Sequence, residues 1–256
     1  MKQITLIFHL IIFFTCTLQA QQTAKLITAT NGEKIGFLEA KPSDYGKQLH
    51  PVIIFLHGID ERGNGTTDIQ KVTKNGIAKI TRLKTIKVKG SSFVILSPQL
   101  DKKFGAWENF YIEEMLNYAK TLHIDTNRIY LTGISLGGGA AWNFASLDKF
   151  HAEQFAAIVP VCGVCYYDYQ KIRTIAKAST PVWAFVGGAD KSVNPLCTTQ
   201  AVDAINANQP VYKAKQTIYK GVGHNSWDRA YDTTHRYQDP NVFEWMLQYK
   251  RQAPKK

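Results

Sequence analysis

Ser135 stands where a hydroxyl could become a nucleophile. Ile129-Tyr130-Leu131-Thr132 reads as a strand and runs straight into Gly133-Ile134-Ser135-Leu136-Gly137-Gly138-Gly139, a glycine-rich helix start. A tight strand-to-helix turn strains the serine backbone and pushes its side chain outward, and the glycines on either side remove the side chains that would collide there. The helix beginning at Leu136 points unpaired N–H groups toward that hydroxyl. Ser135 is the only serine in the chain set in a Gly-x-Ser-x-Gly pattern.

A serine hydroxyl is a weak nucleophile until a base takes its proton, and the base needs an acid to orient it. On sheets that carry the nucleophile in such a turn, the chain order is nucleophile, acid, base. That order excludes His9, His50, His57 and His123. His151 falls at the far end of the helix after Ser135, and His235 has no strand before it. His224 follows the last strand in the loop Gly221-Val222-Gly223-His224-Asn225-Ser226-Trp227, and is the expected base. The acid should end the preceding strand. Asp190 does so in Gly187-Gly188-Ala189-Asp190, while Asp168 and Asp203 follow no strand directly and Asp228 remains a rival close to His224.

An oxyanion formed on attack needs two donors. The N–H of Leu136 is one. The other is expected at Ile59, because Val52-Ile53-Ile54-Phe55-Leu56 is a strand and the following His57-Gly58 lets the chain turn sharply. His57 is then a loop-holding residue rather than a proton carrier. No His-Glu-x-x-His, zinc-spaced Cys/His cluster or phosphate-binding glycine loop occurs, so neither metal nor cofactor is expected.

These groups are positioned by short β-branched runs alternating with helical stretches. Lys25 to Thr30 and Lys34 to Glu39 read as an opening pair of strands. Val52 to Leu56, Phe93 to Leu96, Ile129 to Thr132, Ala156 to Val161, Val182 to Val186 and Val211 to Ile218 read as further strands. Tyr111 to Leu122, Leu136 to Leu147, Cys197 to Ala207 and Val242 to Arg251 carry helix-spaced apolar positions. The expected fold class is α/β, a mainly parallel sheet with helices on both faces and the site at the strands' carboxyl ends.

The 256 residues, 45% hydrophobic and 20% charged, suit one globular domain and exclude a disordered or multi-span membrane chain. Residues 1–20 read as a secretory signal, with Lys2 before an apolar stretch to Leu18 and cleavage after Ala20, leaving residues 21–256 as the domain. The expected location is periplasmic or extracellular, with no stable membrane span after removal of the leader. A lipoprotein anchored through Cys16 is the weaker alternative, since Phe13, Phe14 and Thr15 make a poor lipobox. Cys162, Cys165 and Cys197 then remain, which allows one disulfide and one buried thiol, or none bonded. Cys162-Gly163-Val164-Cys165 has redox spacing, but core packing or one structural bridge is the simpler reading. A net charge of +11 favours acidic neighbours, yet no nucleic-acid module accompanies it, so no nucleic-acid partner is expected.

Taken together, Leu56-His57-Gly58, Ser97-Pro98-Gln99, the Ser135 turn, Pro181-Val182-Trp183-Ala184-Phe185 with Asp190, and His224-Asn225-Ser226-Trp227-Asp228 resemble the α/β-hydrolase superfamily. More narrowly, they look like its predicted-peptidase and esterase group near feruloyl esterases, carbohydrate acetyl esterases, polyhydroxyalkanoate depolymerases and dienelactone hydrolases. The resemblance covers residues 25–251. It implies a serine hydrolase with Ser135 as nucleophile, His224 as base and Asp190 as acid. The segment from Gly163 to Thr180, where many such folds insert a cap, is short, which suggests an open site. Tyr166, Tyr167, Tyr169, Trp107 and Trp227 offer platforms for sugar or aromatic groups, or else pack loops onto the core. The expected substrate is an ester on an acylated polysaccharide, with acetyl or feruloyl groups. Alternatives are a serine peptidase of the prolyl-oligopeptidase type, a polyhydroxyalkanoate depolymerase, and a non-catalytic carbohydrate-binding protein on the same fold.

Overall fold

The computed structural model describes residues 21–165 and 168–251. The expected leader and Cys16, together with Tyr166 and Tyr167, lie outside the described residues.

Strand residues alternate between two buried faces. Val52, Ile54 and Leu56 point into one apolar cluster, and Ile53 and Phe55 into another on the opposite side. A strand with both faces covered has no polar side, which is why these runs are continuously apolar. The strands are β1 (Gln21–Thr28), β2 (Lys34–Lys41), β3 (His50–Leu56), β4 (Lys87–Val88), β5 (Ser91–Ser92), β6 (Val94–Pro98), β7 (Ile124–Ile134), β8 (Ala157–Val161), β9 (Trp183–Gly187) and β10 (Lys215–Tyr219). Eight of them make one sheet in the order β1-β2-β6-β3-β7-β8-β9-β10, while β4 and β5 form a separate two-stranded ribbon. β1 and β2 pair antiparallel, as do β2 and β6, and every pairing from β6 to β10 is parallel.

The helices are α1 (Gly76–Leu83), α2 (Asn109–Lys120), α3 (Leu136–Ala145), α4 (Lys149–Ala152), α5 (Tyr169–Ile172), α6 (Leu196–Asn206), α7 (Trp227–Ala230) and α8 (Val242–Met246). The apolar faces of α2, α3 and α6 supply the first cluster, and those of α1, α7 and α8 the second. Each fully buried Leu, Ile or Phe side chain contributes about 1.5–3 kcal/mol, so this double layer is the main source of stability. The strand order and the apolar clusters on both faces make this the mainly parallel, doubly covered α/β sheet expected from the sequence.

Two elements depart from the sequence-based expectation. The strand expected from Val211 starts only at Lys215, and Val211 is exposed. Asn206, at the end of α6, donates to Ala214 O and accepts from Ala214 N, so a side chain closes the loop that would otherwise extend the strand. The helix expected from Val242 to Arg251 stops at Met246. Its start is well set by Asn241 and Glu244, which cap each other's backbone N–H groups. Its end is drawn off the helical path because Arg251 N donates to Asn127 O and Arg251 Nε to Glu153 O. Among the described residues, Gly163 to Thr180 carries α5 and a short 3-10 turn over Arg173–Lys177. Cys165 and Cys197 form a disulfide joining this segment to α6, with Cα atoms 5.5 Å apart, and Cys162 is buried and unbonded. The redox spacing therefore joins nothing: Cys162 and Cys165 are not partners.

Candidate functional site

Ser135 ends β7 and caps α3 with φ 52° and ψ −114°, a left-handed conformation that strains any residue bearing a Cβ. The turn closes because the backbones around it nearly touch. A Cβ at Gly133 would stand 2.4 Å from the Gly137 backbone, and one at Gly137 would stand 2.1 Å from Leu56 O. The spacing of glycines around the serine thus reflects contact between two strand ends and a helix.

Asp190 follows β9 in a turn that it organises itself. Its Oδ1 accepts from Ser192 N at 2.8 Å and Val193 N at 3.0 Å, which leaves Oδ2 for His224 Nδ1 at 2.7 Å. The carboxylate side chain is wholly buried, while a quarter of His224 is exposed. With Nδ1–H given to Asp190, the free Nε2 of His224 faces Ser135 Oγ at 2.9 Å. Acid, imidazole and hydroxyl, the three residues singled out by sequence, are thus brought together in one chain of hydrogen bonds across three strand ends. The rival Asp228 points elsewhere and accepts from Asn225 Nδ2 at 3.1 Å. His151 and His235 pair instead with Asp148 and Asp232.

Leu136 begins α3 and Ile59 begins a 3-10 turn after β3, so neither N–H has an acceptor within its own helix. The loop carrying Ile59 is fixed by His57. Its Nε2 accepts from Leu100 N at 3.0 Å, so the proton lies on Nδ1, which donates to Gly58 O at 2.6 Å. Complete burial pulls the His57 pKa down to about 4, so the ring stays neutral. It is a brace, as its place in the sequence suggested.

Trp107 was expected to offer a platform for substrate, and the structure places it in the core instead. Its Nε1 donates to His57 O at 3.2 Å and its ring packs on His57 and Tyr111 at 4.9 and 5.4 Å, so it buttresses the brace. Trp227 does reach the site, packing edge-on against His224 at 5.4 Å.

A cavity of about 300 Å³ stands over Ser135 and His224. Val164, Val193 and Trp227 form an apolar wall, and Asp60, Glu61 and Asn75 a polar one. Glu61 was not singled out by sequence. Its carboxyl is buried, accepts from Asn75 Nδ2, and lies close under Gly58, where a Cβ would be 3.2 Å from Glu61 Oε2 and 3.5 Å from Ser135 Cβ. Burial pushes its pKa up, with the Asp60 charge adding to the rise and the Asn75 bond opposing it. The signal for it was an acidic pair in the loop directly after an apolar strand, which reads as solvated surface until the fold encloses it. Among the described residues no cluster of His, Cys, Asp and Glu could hold a metal ion. No described helix is long and apolar enough to cross a membrane.

A model of the dienelactone hydrolase family matches residues 93–252, a stretch that contains Ser135, Asp190 and His224. Among solved structures, the chain is similar to a thermostable esterase at 22% identity and TM-score 0.66, over 90% of this chain and 63% of that one. It is similar to a feruloyl esterase module from Clostridium thermocellum, solved with sinapinate, at 12% identity and TM-score 0.60, over 83% and 84%. It is also similar to Porphyromonas gingivalis dipeptidyl peptidase 4 at 13% identity and TM-score 0.60, over 90% of this chain and 36% of that one. The chain thus spans under two thirds of the thermostable esterase's length, and these likenesses speak for the fold. No curated protein matches the sequence.

Proposed function

The chain belongs to the dienelactone hydrolase family, and from that premise we propose that it is a serine hydrolase of the carboxylesterase type, exported and acting on acylated polysaccharide. The observation that carries this reading is the unbroken contact chain Asp190 Oδ2, His224 Nδ1, His224 Nε2, Ser135 Oγ at 2.7 and 2.9 Å.

In this reading Ser135 Oγ attacks the ester carbonyl carbon as His224 Nε2 takes its proton, and buried Asp190 stabilises the imidazolium that forms. The N–H groups of Leu136 and Ile59 stabilise the tetrahedral oxyanion. His224 returns the proton to the leaving alkoxide, the alcohol departs, and an acyl-serine remains. Water, deprotonated by His224, then attacks the acyl carbon and frees Ser135 and a carboxylic acid. No metal or cofactor enters any step.

Acetyl or feruloyl esters of polysaccharides are the favoured substrates because the segment from Gly163 to Thr180, whose Val164 lines the cavity, is short and Trp227 flanks the base. The likeness to a feruloyl esterase module accords with this. Export is supported by the Cys165–Cys197 disulfide, a bond that persists in oxidising compartments. The test is hydrolysis of a panel: p-nitrophenyl acetate, acetylated and feruloylated xylo-oligosaccharides, a polyhydroxybutyrate film and peptide amides. Turnover of the xylo-oligosaccharide esters supports the reading. Peptide cleavage with those esters inert would replace it with a peptidase, for which the dipeptidyl peptidase likeness gives a motive.

A further inference from the structure

The parallel part of the sheet is thinnest between β8 and β9. Tyr130–Ile134 of β7 pairs along its length with Ala157–Val161 of β8, and Lys215–Tyr219 of β10 with Trp183–Gly187 of β9. β8 and β9 share only the register pair Val161 with Phe185 and an isolated bridge, Ile158 with Val182. The cause is a proline. Alternate residues of β8 turn their N–H toward β9, so Ile158 N donates to Pro181 O at 3.0 Å and Cys162 N to Phe185 O at 2.7 Å. Midway between them stands Pro160, which has no N–H to give, and the ladder loses its middle rung.

The reacting groups stand on opposite sides of this seam. Ser135 belongs to the β8 side, where its N donates to Val161 O at 3.0 Å and its O accepts from Val164 N at 3.2 Å. Asp190 and His224 belong to the β9 side, and their two loops are stitched together. Gly188 N donates to Tyr219 O and Ala189 N to Val222 O, while a Cβ at Gly187 would stand 2.1 Å from Gly223 O. Within the triad, the contact that crosses the seam is therefore the one between Ser135 Oγ and His224 Nε2. The disulfide crosses it too. Cys165 is the residue after Val164, and Cys197 lies in the first turn of α6, just beyond Ser192 and Val193, whose N–H groups hold Asp190. Val164, Ser192 and Val193 all line the cavity over the nucleophile, so the bond ties one of its walls to another.

We propose that Cys165 and Cys197 are positioning residues, their disulfide clamping the seam between β8 and β9 and so holding His224 at proton-transfer distance from Ser135. The proposal rests on the serine-hydrolase reading above. A disulfide that only stapled the chain would raise stability without touching turnover. One that closes this seam acts on the chemical step, because a shift of about 1 Å between reacting groups costs on the order of a hundredfold in rate.

The test compares the wild type with the double variant Cys165→Ala, Cys197→Ala, and with wild type reduced by a phosphine, to which Cys165 is exposed. Initial rates on p-nitrophenyl acetate are taken well below each melting temperature. The clamp predicts a kcat about tenfold lower in both unbridged forms, with KM changed less than about twofold. The same double substitution in a His224→Ala background should alter the residual rate less than about twofold, since no imidazole is left to misplace. Unchanged kcat in both unbridged forms, with only the melting temperature lowered, would make the bond a plain staple and overturn the proposal. A tenfold loss that persists undiminished in the His224→Ala background would overturn it as well, as would loss of the folded state in both unbridged forms. A wild type inert toward p-nitrophenyl acetate and every other ester would instead sink the serine-hydrolase reading itself, and the clamp with it.

Discussion

His57 and His224 occupy matching places, each in a loop at the carboxyl end of a parallel strand, β3 and β10, and each beside the turn that holds Ser135. Their surroundings differ in one respect that decides everything else. His57 has only backbone partners, Gly58 O and Leu100 N, and no exposed surface. His224 has a buried carboxylate on one nitrogen, a hydroxyl on the other and an edge open to the cavity. An imidazole whose two nitrogens are both spent on backbone can neither accept nor release a proton without breaking the fold. One held between an acid and a hydroxyl can do so repeatedly.

The sharpest way to break this contrast is to remove the proposed chemistry directly. Ser135→Ala and His224→Ala should each lower kcat by about three orders of magnitude or more while melting within a few degrees of the wild type, since binding and the oxyanion donors survive. An esterase that keeps most of its activity after either change would cancel the roles given to them. Asp190→Asn comes next. It should lower kcat by roughly a thousandfold, because the amide can no longer hold Nδ1–H and stabilise the imidazolium.

His57→Ala should show the opposite profile. Loss of two buried backbone partnerships and of ring packing against Trp107 should cost about 2–4 kcal/mol in denaturant unfolding, with a much smaller fall in kcat for the folded fraction. A pH series tests the same brace without mutation. Because burial holds the His57 pKa at about 4, below the ordinary 6.5, the unfolded chain binds a proton across that window that the folded chain refuses. Stability should therefore be fully present above pH 6.5 and fall, by on the order of 3 kcal/mol, as pH drops toward 4. The raised pKa of Glu61 acts in the other direction, so the slope belongs to His57 only if it flattens in His57→Gln. The smallest effect is expected at Asp228→Asn, which should alter kcat less than about twofold, since that carboxylate meets Asn225 and not the imidazole.

The groups legible in the sequence share a simple property. Ser135, Asp190 and His224 each follow a β-branched run, so their side of the sheet is fixed by strand direction alone, and a parallel α/β sheet gathers such ends together. The paired opening strands, the parallel core and the helix over Asn109–Lys120 were legible for the same reason, through uninterrupted apolar patterning. What was not legible depends on enclosure. Glu61 looks like a surface acid until Asn75 and Gly58 close over it. α1 is short, begins at a left-handed glycine and carries polar residues between its apolar ones, so its start and the cavity wall it builds emerge only from the packing of Gly76 on Phe55. The ends of β10 and α8 were misjudged because single tertiary contacts, from Asn206 and Arg251, outweigh local propensity.

The disulfide joins residues 32 apart in the chain, and within that span lie α5, all of β9 and Asp190, while Ser135 and His224 lie outside it. A protease that nicks the backbone anywhere between Cys165 and Cys197 would thus produce two pieces still bonded to one another, each retaining a neighbour in the sheet. Such a nicked molecule should run as one species on a gel until a reductant is added, and then as two. A cut between Cys165 and Asp190 would leave Ser135 on one piece and Asp190 with His224 on the other, and the disulfide would keep nucleophile and base tethered.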